Sequence, residues 1–170
     1  MKRFVLLFSL FIPLLFIDIG TKYLVYQYNS LLPFFVWKNF LGIDFCIQYT
    51  TNLGGPWGIW SSISSYLLLF RTIIASLLAL SFFTHPLPIL KDFSRTMILT
   101  GALANILDFF FYGSVIDMCN FLFLGQSYGI FNLADVMIFL GTISFLFCGR
   151  KKKSIIIPPT QSFFTRCTRK

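Results

Sequence analysis

The sequence predicts a mainly α, polytopic membrane protein: four transmembrane helices with a small extracytoplasmic β-rich subdomain. Composition and charge placement carry that prediction. Of the 170 residues, 56% are hydrophobic and 12% charged, where a soluble domain carries about a quarter charged residues. Mean hydropathy is +0.78. Eleven of the 14 Lys and Arg are grouped: Lys2-Arg3, Lys91 with Arg95, Arg150 to Lys153, then Arg166, Arg169 and Lys170. Cations gathered at the ends of apolar runs orient spans in a bilayer. The net charge of +8 is therefore not read as a nucleic-acid face, and no nucleic-acid partner is expected.

Residues 1 to 27 open with MKRFVLLFSLFIPLLF. The charged start and apolar run fit a secretory signal peptide, but no small-x-small cleavage site follows, and Asp18 and Lys22 interrupt the far end. The expectation is an uncleaved first span, about residues 4–27, bent at Pro13. Lys2 and Arg3 place its start in the cytoplasm, so Asp18 and Lys22 lie toward the outer end. Their i, i+4 spacing with the acid first favours an ion pair.

Residues 29–60 change character. The run VWKNFLGIDFCIQYTT mixes aromatic and β-branched residues with partial alternation around Gly42, which predicts short strands at the outer membrane surface. Asn52-Leu53-Gly54-Gly55-Pro56-Trp57-Gly58 follows, a loop whose glycines permit close backbone approach and whose Trp57, with Trp60, suits an interface belt. The second span is about residues 61–83. Arg71 near its middle could snorkel, face the bundle interior or belong to a tilted helix. His85 reads as a solvated loop residue, and Lys91 and Arg95 mark a cytoplasmic loop.

The third span, about residues 95–112, carries Asn105 and Asp108 on one face at i, i+3, with Asp117 beyond the helix exit. Met118 to Ile130 lacks Lys and Arg and reads as an outer loop. The fourth span is about residues 131–148, with Asn132 and Asp135 in its first turn. Residues 1–149 form one membrane domain. Residues 150–170 form a basic cytoplasmic tail suited to anionic lipid, so both termini lie inside.

This topology brings Asp18, Asn52, Asn105, Asp108, Asp117, Asn132 and Asp135, from five segments, to one depth near the outer face. A carboxylate in apolar surroundings costs free energy unless paired, hydrogen-bonded or protonated, which makes these acids candidate functional groups. The four Cys, at 46, 119, 148 and 167, have no metal-ligand spacing and only one His, His85, for company, so no metal site is expected. Pairing of Cys46 with Cys119 in an oxidising compartment stays open at this stage.

Together these motifs resemble the lipoprotein signal peptidase (signal peptidase II) family of bacterial membrane aspartic proteases. Asp18-Ile19-Gly20-Thr21-Lys22 is similar to its D-x-x-x-K, and Asn52-Leu53-Gly54 to its N-x-G. Gly101, Asn105, Asp108, Gly113, Val115 and Asp117 follow its G-x-x-x-N-x-x-D-R-x-x-x-G-x-V-x-D pattern, and Phe131-Asn132-Leu133-Ala134-Asp135 its F-N-x-A-D. The resemblance covers nearly the whole chain to about residue 149. It implies that Asp117 and Asp135 are the catalytic dyad, with Asp18, Lys22, Asn52, Gly54, Asn105, Asp108, Asn132 and Ala134 binding substrate or supporting them.

It further implies an enzyme of the bacterial inner membrane, with its site toward the extracytoplasmic face. Its partners are diacylglyceryl-modified prolipoproteins, cut before the lipidated Cys, and membrane lipids. No cofactor is implied, and a monomer is expected. The chain departs from the family at Phe109, where an Arg is usual, and at Ala104, Pro56-Trp57 and Met118. The chemistry agrees: two close carboxylates sharing a proton can activate water and polarise a carbonyl without metal or thiolate.

Three rival readings stand beside this one. Phe109 motivates a non-catalytic relative that binds lipopeptides. A small helical-bundle transporter would also hold acids within its helices, but it predicts an inverted repeat, and the acids fall mostly in the second half. A purely structural role, stapling helices together, is the default for any single intramembrane polar group. It does not predict two acids at the outer mouth with matching Asn partners.

Overall fold

The computed structural model describes residues 2–53, 61–85 and 87–148. The Gly-rich stretch beyond Leu53, with Gly54, Trp57 and Trp60, and the basic tail lie outside the described residues. Four helices form where apolar runs predict them: α1 (Lys2–Gln27), α2 (Ser64–Thr84), α3 (Ile89–Tyr112) and α4 (Leu133–Phe147). Pro13 lies inside α1. Among the described residues, two stretches, Val5–Gln27 and Ser64–Thr84, have the length and hydropathy to cross a bilayer by themselves. The α4 helix is apolar but shorter, and α3 carries Lys91, Asp92, Arg95 and Asp108 along its length.

Between the helices lie four strands, β1 (Phe34–Phe40), β2 (Ile43–Asn52), β3 (Val115–Phe123) and β4 (Gln126–Phe131). They form one antiparallel sheet in the order β1-β2-β3-β4. The first hairpin is the expected one. The second corrects the reading of Met118 to Ile130 as a loop. Both hairpins turn on two residues with positive φ, Leu41-Gly42 (55° and 78°) and Leu124-Gly125 (51° and 79°). Such turns match the twist of the strands they join. Leucine is unusual at such a φ, so residue 124 gives little turn signal in the sequence.

The α3 helix also begins earlier than the expected start at about residue 95, at Ile89 behind Pro88, so Lys91 lies within it and Arg95 in its second turn rather than in a cytoplasmic loop. Arg95 is buried. Its guanidinium donates to the Ser81 carbonyl and hydroxyl (3.0 Å each) and to the His85 carbonyl (3.2 Å), and it pairs with Asp92. Arg95 thus gives the His85 carbonyl a donor beyond the end of α2 and adds a second donor to the Ser81 carbonyl, which already accepts the His85 N–H. His85 itself is exposed, as expected, while Arg71 is half-buried on α2.

Two packing contacts set the site. Val25 at the end of α1 meets Ile116 and Met118 of β3, with Ile47 and Tyr49 of β2 against them, seating the sheet on the helices. Elsewhere α3 and α4 pack through small residues, with Ala104 and Ala134 fully buried. A Cβ added at Gly101 would stand 2.4 Å from the Ala134 carbonyl oxygen. In the β2–β3 register Cys46 opposes Asn120 and Ile47 opposes Cys119, so the two thiols face opposite sides of the sheet. Both are free, which settles the open pairing against a disulfide.

Gly101→Ala should push the first turn of α4 off α3 and lower stability by about 1–3 kcal/mol, the usual cost of overpacking. Gly20→Ala, whose added Cβ meets nothing within 4 Å, is the matched control and should unfold no earlier than wild type. Thermal unfolding of both variants in detergent checks the pair.

Candidate active site

The two acids that the sequence singles out arrive on different elements. Asp117 is on β3, opposite Thr50 of β2, and not at a helix exit. Asp135 is the third residue of α4, behind the N-cap Asn132. The two are joined through Asn132. Its side-chain amide donates to Asp117 Oδ1 (2.7 Å), and its backbone N–H donates to Asp135 Oδ2 (3.2 Å). Its side-chain oxygen accepts from the Asp135 N–H (2.9 Å), closing a capping box. One fully buried asparagine therefore holds both carboxylates.

Each acid has a second amide partner. Asn52, the last residue of β2, donates to Asp117 Oδ2 (3.0 Å), and Asn105 on α3 donates to Asp135 Oδ1 (3.0 Å). Asp117 is buried, and burial pushes its pKa up from 3.8 to about 6; the Asn52 and Asn132 donors oppose that rise and the Asp135 carboxylate adds to it. Cys119, two residues along β3, has its thiol pKa raised by burial and by the same two acids, so it is a poor nucleophile.

Behind the acids lies a buried ionic cluster. Lys22 Nζ is 2.7 Å from Asp18 Oδ2, 2.8 Å from Asp108 Oδ2 and 2.9 Å from Asn105 Oδ1. An ammonium has three N–H donors, and here each has an acceptor. The acids pass the tie onward. Asp18 Oδ1 accepts from the Ala134 N–H (2.8 Å) in the first turn of α4, and Asp108 Oδ2 accepts from the Ile116 N–H (3.3 Å) in β3. The cluster thereby anchors the residue before each acid: Ala134 before Asp135, and Ile116 before Asp117.

The expected ion pair of Asp18 with Lys22 is present. The expected convergence of Asn52, Asn105 and Asn132 on Asp117 and Asp135 is also present, with Ala134 contributing its backbone N–H. Asp18 and Asp108 touch Lys22 and backbone rather than the two acids. Lys22 is fully buried, and its donors are engaged by Asp18, Asp108 and Asn105. Phe109 is half-buried on α3. Sequence reasoning missed the strand that carries Asp117; the β-branched and aromatic content of Val115 to Phe123 was the available signal. It also missed the backbone N–H groups of Ile116 and Ala134 as partners, which no side-chain pattern reveals.

Among the described residues, no three His, Cys, Asp or Glu side chains gather as a metal site. The arrangement offers two carboxylates of different setting, one on a strand and one at a helix start, fixed by neutral amides. Such a pair can hold one proton between them and face a water and a carbonyl together.

Comparison with known proteins places this geometry. Two solved structures described as a bacterial membrane enzyme share the fold. One has a TM-score of 0.71 and 22% identity, covering 86% of this chain and 93% of its own; the other has a TM-score of 0.69 and 22% identity, covering 82% and 84%. The lipoprotein signal peptidase of Chlamydia felis is 34% identical over 140 residues, which is 77% of this chain and 83% of the relative. That of Caldanaerobacter subterraneus is 30% identical over 131 residues, 75% and 84%. The fold is thus that of a bacterial membrane enzyme. A family model described as Signal peptidase (SPase) II matches residues 10–149, and the chain belongs to that family of peptidases.

Removing the ammonium should be costly. Lys22→Met leaves two buried carboxyls without their cation and should destabilise the fold by about 3–5 kcal/mol. Adding Asp108→Asn to Lys22→Met removes one of those charges and should recover part of the loss. Unfolding midpoints of the single and double variants in detergent test this.

Proposed function

We propose that this protein is an aspartic endopeptidase of the bacterial inner membrane. It removes signal peptides from diacylglyceryl-modified prolipoproteins, cutting before the lipidated Cys. Asp117 and Asp135 act as the dyad. The observation that carries the reading is the double grip of Asn132 on both acids, which holds them as a pair, with one further amide partner for each among the described residues. The names of the relatives supply the substrate class.

In the proposed reaction the pair shares one proton. The ionised member takes a proton from water as the water attacks the scissile carbonyl; the protonated member hydrogen-bonds the carbonyl oxygen and steadies the developing oxyanion. Asn52, Asn105 and Asn132 keep the carboxylates oriented, and Asp18, Lys22 and Asp108 hold the elements that bear them. All four helices span the bilayer in this reading, with both termini inside and the sheet outside. The burial of Lys22, Asp18 and Asp108 within the bundle suits that depth, because α3 turns its charges inward. Gly54 belongs to the proposed border of the site by its motif alone. The protein works as a monomer, with membrane lipid as its other partner.

Asp117→Asn and Asp135→Asn each remove one ionisable group from a pair that works as a unit, so each should lower cleavage of a lipidated prolipoprotein by about 10²-fold or more. Variants that cut at wild-type rates would sink the dyad assignment. The shared proton also sets a pH dependence. With the Asp117 carboxyl holding its proton up to about pH 6, activity should fall as pH rises through that region and the pair loses its proton. A pH–rate profile of kcat/KM on the same substrate reads that limb.

A further inference from the structure

The far end of the sheet takes no part in the site. There the β1–β2 and β3–β4 turns lie side by side, with the Leu124 N–H donating to the Gly42 carbonyl (3.0 Å). A Cβ built on Gly42 would stand 3.4 Å from a methyl carbon of Leu124, so the second turn leans on the first. Asp44 braces the first turn by accepting the Asn39 N–H (2.5 Å). What this braced tip presents is leucine. Leu41 and Leu124 are 86% and 89% exposed, and Phe40 and Phe123 beside them are exposed too.

Each leucine is unfavourable twice over. Its φ, 55° at Leu41 and 51° at Leu124, is left-handed, where a Cβ is strained and Gly, Asn or Asp is usual. Its side chain also stands clear of the protein's own core, and a cluster of exposed apolar side chains marks an interaction surface. Two turns far apart in sequence share the same anomaly at adjoining points. An apolar medium against the tip offsets both costs. The two sides of the sheet indicate which medium. In the strand register Trp37 pairs with Phe45, and Phe45 with Phe121. Their rings form a ladder, with centroids 4.8 and 4.7 Å apart, that Phe131 extends at 5.9 Å. Asp44, Asn120 and Ser127 fall on the other side, because their register positions alternate with those of the ladder.

We propose that the paired turns, Phe40-Leu41 and Phe123-Leu124, form a wedge that enters the acyl chains of the leaflet at which the helices end, and that it seats the aromatic side of the sheet on the bilayer. Lipid is the occupant because the sheet grows directly from apolar helices. Two residues separate α3 from β3, and one separates β4 from α4. The α1 helix, which leads toward β1, is long and apolar enough to cross a bilayer, and its exposed residues Ile17, Tyr23 and Leu24 are apolar as well. An amphipathic sheet held this close to such helices meets lipid with its aromatic side and water with its polar side. Asp117 lies four residues along β3 from Phe121 and so shares the aromatic side. The wedge goes beyond the peptidase reading and does not rest on which acids cut.

The test places the photoreactive residue p-benzoylphenylalanine singly at Leu41, at Leu124 and, on the polar side, at the exposed Ser127. The full chain is held in nanodiscs of phosphatidylethanolamine and phosphatidylglycerol. Irradiation joins the probe to a neighbouring C–H group, and mass spectrometry identifies what has been joined. Phospholipid adducts at both turns, several-fold above the yield at Ser127, are expected. Equal yields at the three positions, or lipid at only one of the turns, overturn the wedge. Adducts to a second copy of the chain in place of lipid overturn it in favour of a protein contact. The probe is itself apolar, so its yield at Leu41 is also read together with Leu124→Asn. Asparagine suits the left-handed φ and removes the neighbouring apolar side chain. The yield should then fall several-fold; an unchanged yield shows that the probe, and not the leucine pair, seeks lipid, and overturns the wedge. None of these readouts uses cleavage, so the dyad assignment stands or falls separately.

Discussion

The structure depends on one ammonium group. Lys22 has no exposed surface, and its Nζ lies within 2.9 Å of oxygens from Asp18, Asp108 and Asn105. A charge in that position costs several kcal/mol of desolvation, which is offset only when every donor meets an acceptor. The three acceptors lie on α1 and α3, and each passes the connection to something else. Asp18 reaches α4 through the Ala134 N–H, Asp108 reaches β3 through the Ile116 N–H, and Asn105 reaches the Asp135 carboxylate. Three helices and a strand are therefore referred to one atom. Neutral packing could not do this in the same way, since apolar contacts have no direction and tolerate sliding.

Small residues make that arrangement possible. Gly101 and Ala104 on α3 let α4 come close enough for Ala134 and Asn132 to reach the polar cluster. Gly141 continues the close approach farther along α4, where an added Cβ would stand 2.9 Å from the Ser94 carbonyl oxygen. At the opposite end of α3, Arg95 ties the helix to the last turn of α2 through carbonyl oxygens rather than through a carboxylate pair alone. The helix thus has charged groups at both ends, turned inward, while its exposed positions include Phe93, Phe110 and Phe111. In the proposed four-span topology, that inversion of the soluble pattern lets a helix with four charged residues stand beside lipid.

Most of this was legible in the sequence because it is a pattern of types at fixed spacings. The helices follow from apolar runs, and the i, i+4 spacing of Asp18 and Lys22 placed an ion pair that the structure contains. Topology brought Asn52, Asn105 and Asn132 to the depth of the acids, while the particular partners, Asn52 on Asp117, Asn105 on Asp135 and Asn132 on both, came only with the structure. The β3–β4 hairpin was lost because a stretch without Lys or Arg was read as an outer loop; its Leu124-Gly125 turn is of the same kind as Leu41-Gly42 in the hairpin that was expected. The start of α3 was set too late because Lys91 and Arg95, cations after two prolines, mark a loop, and nothing in the sequence says that Arg95 reaches back to the Ser81 and His85 carbonyls. The Lys22 cluster was half legible: its members were visible, but its connection to the backbone of Ile116 and Ala134 depends on atoms common to every residue.

The capping box at the start of α4 has a consequence of its own. The Asp135 carboxylate accepts the Asn132 N–H and thereby helps fasten the helix terminus, and it is also the group assigned to proton traffic. Protonating it weakens it as an acceptor, so each time a proton rests there the helix loses part of its fastening. Turnover and the order of that first turn are then not independent quantities. In the proposed reaction the order of that first turn and the proton held by the dyad are thus coupled through one hydrogen bond.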